Sequence, residues 1–395
     1  VTSPPPPPEP AEAGDDTRAA LLGVGGVSAV AAAGYAAFGS ARYTADFTQL
    51  WAATRAALVG VSPYDDAGVS ALVPAGAEWV FLPWAYPPWT VLCTLPLGAL
   101  PLDAAGRCWS LASAGGFVLA GYLASGATDL RTRAGVLAAS ALSLPALGVI
   151  GVGQLVAPVA VGAALLTRPS SAAVAVGLAL LATKPHLGAP IALAHLAWAL
   201  ARRHRPSAAG WGAGVGIGLV AAIASLRVDP GWPTTWPAAL HRLRATETVS
   251  VCDTCASATT SFLGAGLPGL AGLSLVAALA AALAWRGRAR FEDPAVVVGA
   301  GALGGLLFLP YLRNYDHALA CVPLAVAASR GGPGARWWLA GAWALPWLGA
   351  SLGRAGGAPF YWLGALVGLA ALLSPPTGST PAPLEPRLHS EGGSG

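Results

Sequence analysis

From about residue 19 to residue 374 the chain is a succession of apolar runs, and the polar stretches between most of them are only a few residues long. "VAPVAVGAALLTRPSSAAVAVGLALLATKPH", residues 156 to 186, is typical: two greasy segments, one short basic turn, one polar stop. Such a pattern leaves few options. In hydrocarbon each backbone N–H and C=O needs a partner within the structure, so the runs have to be helices. With 55% hydrophobic residues, 10% charged ones and a mean hydropathy of +0.60, no soluble class competes. The net charge of +4 is scattered over short loops, which gives nucleic-acid binding no support.

The expected fold is therefore an all-α polytopic membrane protein. Residues 1–18, with "PPPPPEP", read as a disordered cytoplasmic tail, residues 19–374 as one transmembrane domain, and residues 375–395 as a disordered C-terminal tail. Only Arg18 precedes the first apolar run, too little basic front for a secretory signal, so 19–38 is expected to stay as a helix. The short basic loops "ARRHRPS" (201–207), "WRGRAR" (285–290) and "SRGGPGAR" (329–336) belong in the cytoplasm, joined more weakly by "TRPSS" at 167. The loops after 38, at 184, from 228 to 259, at 313 and at 353 then face outward. Alternation requires the stretch 135–167 to be one broken helix, kinked at "LPALGVIGVGQ", which gives about twelve spans. That solution leaves Arg131 and Arg133 on the outer side.

The outward stretches carry the chain's unusual residues. Asp46 follows the first run, ahead of "FTQLWAATRAALVG", an amphipathic segment that can lie on the membrane through Phe47, Leu50, Trp51, Ala57 and Leu58 while Thr48, Gln49, Thr54 and Arg55 face away. Asp46 suits an N-cap of that helix or a catalytic carboxylate at the membrane surface. Tyr64 and Tyr86 fit the interfacial aromatic belt, and equally a surface on which a sugar stacks. Lys184 is the one lysine of a chain with 21 arginines. A compact ammonium there can hold a phosphate, with His186 donating beside it; a snorkelling anchor is the plainer role, and arginine would fill it as well. "RNYDH" brings Arg313, Asn314, Tyr315, Asp316 and His317 to another outward junction, where Asp316 can also cap the next helix. Gln154 is a lone amide in a break between apolar pieces; it either satisfies freed backbone or points into a cavity. Cys252 and Cys255, in "CDTC", can form a disulfide in an oxidising compartment, or belong to a redox pair or half a zinc site. Cys93, Cys108 and Cys321 lie in apolar segments and read as packing residues.

No Walker A loop, Rossmann fingerprint or HExxH occurs, so a nucleotide-fed transferase lacks its binding loop. The order "DFTQLWAATRAALVGVSPY", "YPPWTVLCTLPLGALP", a "GQ" break, "TKPH" and "NYDH" resembles the GT-C membrane glycosyltransferases. It is most similar to glycosyltransferase family 87, the polyprenyl-phosphate-mannose-dependent mannosyltransferases of actinobacteria, over most of residues 20 to 374. The resemblance implies a GT-C-like bundle in the cell membrane with an extracytoplasmic active site. It implies a polyprenyl-phosphate sugar donor, a lipid or glycolipid acceptor, no cofactor, and inversion at the sugar carbon. The family's catalytic acid falls on Asp46. Lys184, His186, Arg313 and His317 would then hold the donor phosphate, and Tyr64, Tyr86, Gln154, Asn314, Tyr315 and Asp316 the sugar or acceptor. The next acids along the chain are Asp65 and Asp66, and no metal is assigned. A transporter or lipid flippase is the competing class, but it predicts internal repeats and ionisable groups within the helices.

Overall fold

The computed structural model describes residues 45–77, 83–126, 130–246, 256–262, 266–310, 312–330 and 335–375. The expected helix at 19–38, the tails and the Cys252–Cys255 pair lie outside these residues. Among the described residues every regular element is helical.

The first elements are α1 (Ala45–Leu58), α2 (Asp66–Ala71), α3 (Pro88–Gly98) and α4 (Leu102–Ser125). Then come α5 (Leu130–Leu142), α6 (Leu144–Val152), α7 (Val156–Leu166), α8 (Ser171–Leu181), α9 (Pro185–Ala201) and α10 (Arg205–Ala224). The remainder are α11 (Trp232–Thr246), α12 (Ala258–Phe262), α13 (Gly266–Arg286), α14 (Pro294–Phe308), a 3-10 turn (Asn314–Ala320), α15 (Cys321–Arg330), α16 (Ala335–Ser351) and α17 (Gly353–Leu373). Their starts follow local chemistry. Ser143, Ser170, His204 and Asp293 each accept a hydrogen bond from a first-turn N–H, and Pro145, Pro206 and Pro294 stand where a missing N–H costs nothing.

The helices run between two polar ends. At one, Arg168 bonds the Leu123 carbonyl, Ser171 the Pro206 carbonyl, Arg202 pairs with Glu292, Arg330 with Asp293, and Arg290 bonds the Ser374 carbonyl. These contacts gather all the loops expected in the cytoplasm. At the other end Trp109 bonds the Gly153 carbonyl, Thr90 that of Thr183, and Trp236 that of Ala85. Among the described residues three helices are long and apolar enough to cross a membrane: Leu102–Ser125, Arg205–Arg227 and Gly266–Arg286. Thr132–Leu142 and Leu144–Val152 make a fourth if taken together, bent by 48°. On α10 and α13, Leu219, Val220, Ile223, Leu267 and Leu275 point outward, an arrangement that costs little only in a hydrocarbon surround. Inside, α7 and α8 cross at Gly162 and Gly177, where a Cβ on either would sit 2.7–2.8 Å from the other's carbonyl oxygen.

Two expectations about the path are corrected. The stretch 135–167 is not one broken passage. Because α4 ends beside Arg168, α5 starts at the basic end, α5 and α6 rise together to Gly153, and α7 returns. Arg133, bonded to the Gly126 carbonyl, therefore lies with the other basic residues, and the expected violation disappears. The apolar segment 87–102 does not reach that end. α4 passes the level of Gly153 at Trp109, so its start, and the end of α3 that feeds it, lie beyond the site.

The amphipathic segment also differs from expectation. α1 does not lie with one face on lipid: Phe47, Leu50 and Trp51 are buried in protein, and so are Thr48 and Thr54 of the face expected to point away. Arg55 bonds the Gly98 carbonyl and Trp51 that of Leu100, which welds α1 to α3. The periodicity marks a buried face, and periodicity does not say whether lipid or protein covers it. Cys93 and Cys108 are exposed rather than packed, while Cys321 is buried as expected.

Candidate active site

Three interruptions of the bundle supply the site's polar side chains. α6 stops at Gly153, whose φ of +78° is a left-handed helix end, and Gln154 follows before α7 begins. α8 stops at Ala182, and Lys184 sits in a non-helical conformation ahead of Pro185, the first residue of α9. The third is the 3-10 turn after Arg313, held by Asp316 Oδ2 accepting from the Arg313 N–H at 3.0 Å.

The breaks meet in one network. Lys184 Nζ donates to Asp316 Oδ1 at 2.6 Å and to Gln154 Oε1 at 3.4 Å. Tyr86 OH donates to the same Gln154 oxygen at 2.8 Å, and the Lys184 ammonium lies 5.4 Å from the centre of the Tyr315 ring. Lys184 and Asp316 are both almost wholly enclosed. Tyr64 OH donates to the Tyr86 carbonyl at 2.9 Å and so steadies the loop that carries Tyr86. Burial raises the pKa of both phenols, keeping them neutral hydroxyl donors.

Asp46 stands in the first turn of α1, half-buried. Its neighbour Phe47 lies against Gly153 so closely that a Cβ on that glycine would sit 2.5 Å from the Phe47 Cβ. The contact brings Asp46 to the network, and its charge acts on Lys184, Tyr86 and Tyr315. No described residue hydrogen-bonds its carboxylate.

The remaining candidates surround this centre. His186, in the first turn of α9, keeps an accessible ring within a dense surround and feels the charges of Lys184 and Asp316. His317 is buried, with Nε2 3.1 Å from the Ala256 carbonyl and its ring 5.5 Å from that of Tyr361. Asn314 bonds Tyr361 through its side chain and accepts from the Tyr315 N–H. Arg313 is close enough to act electrostatically on Tyr315. Asp65 caps α2 by accepting from the Gly68 N–H, and Asp66 pairs with Arg242 at 3.2 Å, so neither joins Asp46. Among the described residues no three His, Cys, Asp or Glu side chains are grouped to hold a metal. An apolar cavity of about 350 Å³ runs from Ser143, His317 and Tyr361 down to Thr132, Ala328 and Leu339 near the basic end.

Sequence reasoning met Gly153 only within the "GQ" break, placed Phe47 on the membrane face of α1, and gave Arg242 no role. The only signal for Gly153 is a glycine ending an apolar run, and nothing local tells Phe47 from any other core aromatic.

A bundle of membrane-type helices, with a buried polar network at one end beside an apolar cavity, is the architecture of an integral membrane protein. The model of glycosyltransferase family 87 matches residues 84–310, more than half of the chain, and the protein belongs to that family and is a glycosyltransferase. The matched span contains Tyr86, Gln154, Lys184 and His186, while Asp46 and the 313–317 cluster lie outside it and join it through the geometry above. No curated protein and no solved structure matches the chain.

Proposed function

We propose that this glycosyltransferase moves a hexose, mannose, from polyprenyl phosphate to a lipid or glycolipid acceptor on the extracytoplasmic face. Asp46 is the general base. It takes the proton of the acceptor hydroxyl as that oxygen attacks the anomeric carbon. The bond from that carbon to the phosphate oxygen breaks, the electron pair leaves with the polyprenyl phosphate, and the sugar carbon inverts. No general acid is required, since phosphate is a competent leaving group.

The departing phosphate gains negative charge, and donors already in place for it contribute several kcal/mol. Lys184, His186 and Arg313 are those donors, and His317, whose Nε2 donates to the Ala256 carbonyl, joins them only when Nδ1 is also protonated. Asp316 keeps Lys184 aimed and charged until the phosphate arrives. Tyr86, Gln154, Asn314 and Tyr315 contact the sugar or the acceptor; Tyr64 and Asp316, whose bonds run to the Tyr86 carbonyl and Lys184, set their positions. The apolar cavity next to His317 supports a lipid-borne substrate. The clustering of basic loops at the opposite end supports the extracytoplasmic assignment.

The observation that carries this reading is the meeting of Asp46, whose carboxylate no described residue bonds, with the Lys184–Asp316 pair. Its test is to incubate the purified protein with labelled polyprenyl-phosphate mannose and membrane lipids. A labelled lipid product is expected; transfer only from a nucleotide sugar would overturn the donor assignment.

A further inference from the structure

Gln154 is held in one orientation by its neighbours. Lys184 Nζ carries only donors, so the amide atom facing it must be the oxygen, and Tyr86 OH donates to that same oxygen. Flipping the amide would set its NH2 against an ammonium. The nitrogen consequently points away from both, with two N–H groups to place. Among the described residues none accepts from it. Gln154 is 8% exposed, and its nitrogen is not among the fully enclosed polar atoms that lack a partner, so the N–H pair opens on the adjoining space.

A second donor near Tyr86 also lacks a partner among the described residues. Trp84, its ring 5.0 Å from that of Tyr86, carries a buried indole N–H with no partner among the described residues. A donor left unmatched costs about 1–3 kcal/mol, a cost that a ligand oxygen at the Gln154 N–H pair removes, whereas the Trp84 N–H is fully enclosed. The chemistry of that oxygen is restricted by its surroundings. Aromatic faces next to an amide donor suit a sugar ring with a hydroxyl at its edge.

We infer that Gln154 reads one hydroxyl of the transferred sugar, its N–H pair donating to that hydroxyl oxygen beside Asp46. This rests on the proposed lipid-phosphate sugar donor and adds the group that distinguishes one sugar from another. A site built to bond a hydroxyl rejects the analogue that lacks it, because the amide is then left unmatched.

The test compares kcat/KM of the full-length enzyme for polyprenyl-phosphate mannose and its 2-, 3-, 4- and 6-deoxy analogues. The wild type is expected to disfavour one analogue by about tenfold or more. Gln154→Glu keeps an oxygen for Tyr86 and Lys184 but has no N–H to give, and Gln154→Leu loses both. Each variant is expected to lose discrimination at that hydroxyl alone, with the other analogues keeping their ranking. A folded Gln154→Glu enzyme that is slower on every donor yet retains the wild-type pattern would show Gln154 to be a spacer and overturn the inference. If Gln154→Leu does not fold, Gln154→Glu still decides. No turnover by the wild type on any of the five donors would instead overturn the donor reading, and this inference with it.

Discussion

Lys184 and Asp316, 132 residues apart in the chain, meet at 2.6 Å inside the protein with almost none of either side chain exposed. The pair closes the circuit that joins the break after α8 to the turn before α15, and through Gln154 to the break after α6. A buried pair of this kind adds little net stability, but losing one partner costs about 3–5 kcal/mol because a lone charge stays behind.

Lys184→Ala should therefore lower both stability and donor use. Combining it with Asp316→Asn removes the stranded charge, so thermal stability should recover in part while transfer from polyprenyl phosphate stays low. Melting curves and initial rates on the same preparations separate the two effects. If the double variant regained wild-type rates, Lys184 would be a structural cation alone. Lys184→Arg should be partly active, with charge kept and shape changed.

Asp46→Asn preserves size and leaves α1 packed on α3, so normal melting is expected. As the general base, its loss should cut turnover by about 10²-fold or more. Turnover within a few-fold of wild type in a folded variant would reassign the base.

Gly153→Ala forces a β-carbon into a left-handed residue, a strain of about 1–2 kcal/mol, and drives it into Phe47. We expect reduced kcat as α1 and Asp46 are pushed from the network, with donor binding less affected. Adding Phe47→Gly removes the Cβ that is struck and leaves the strain, so partial recovery of kcat is expected. The absence of recovery would mean that the contact does not position Asp46.

Sidedness is tested by single cysteines in a variant whose five native cysteines are replaced. A cysteine at Ser62 should react with an impermeant thiol reagent in intact spheroplasts. Cysteines at Arg133 or Arg205 should react only after lysis. Labelling of the Arg133 site in intact cells would reinstate the outward placement that the bonds near Gly126 and Leu123 argue against.

Much of the site was legible because the residues that carry it are rare here. One lysine among 21 arginines, and a dense polar cluster at 313–317, stand out against an apolar background by residue type alone. Phe47 and Gly153 do not stand out, since an aromatic and a glycine are ordinary in such a chain. Their significance lies in a contact between segments remote in sequence, so close that a Cβ on Gly153 would sit 2.5 Å from that of Phe47.

By itself the sequence determined the helical class, the clustering of basic loops and the polar segments that could share an end, because apolar run length and local charge set these without reference to the rest of the chain. Only the tertiary structure decided that α3 stays at the site end, that α5 and α6 form a passage separate from α7, and that α1 is buried in protein. Lipid and protein interior are equally apolar, so an apolar face does not state what covers it. Packing also made Asp316 the partner of Lys184, through a 2.6 Å approach that no local pattern encodes.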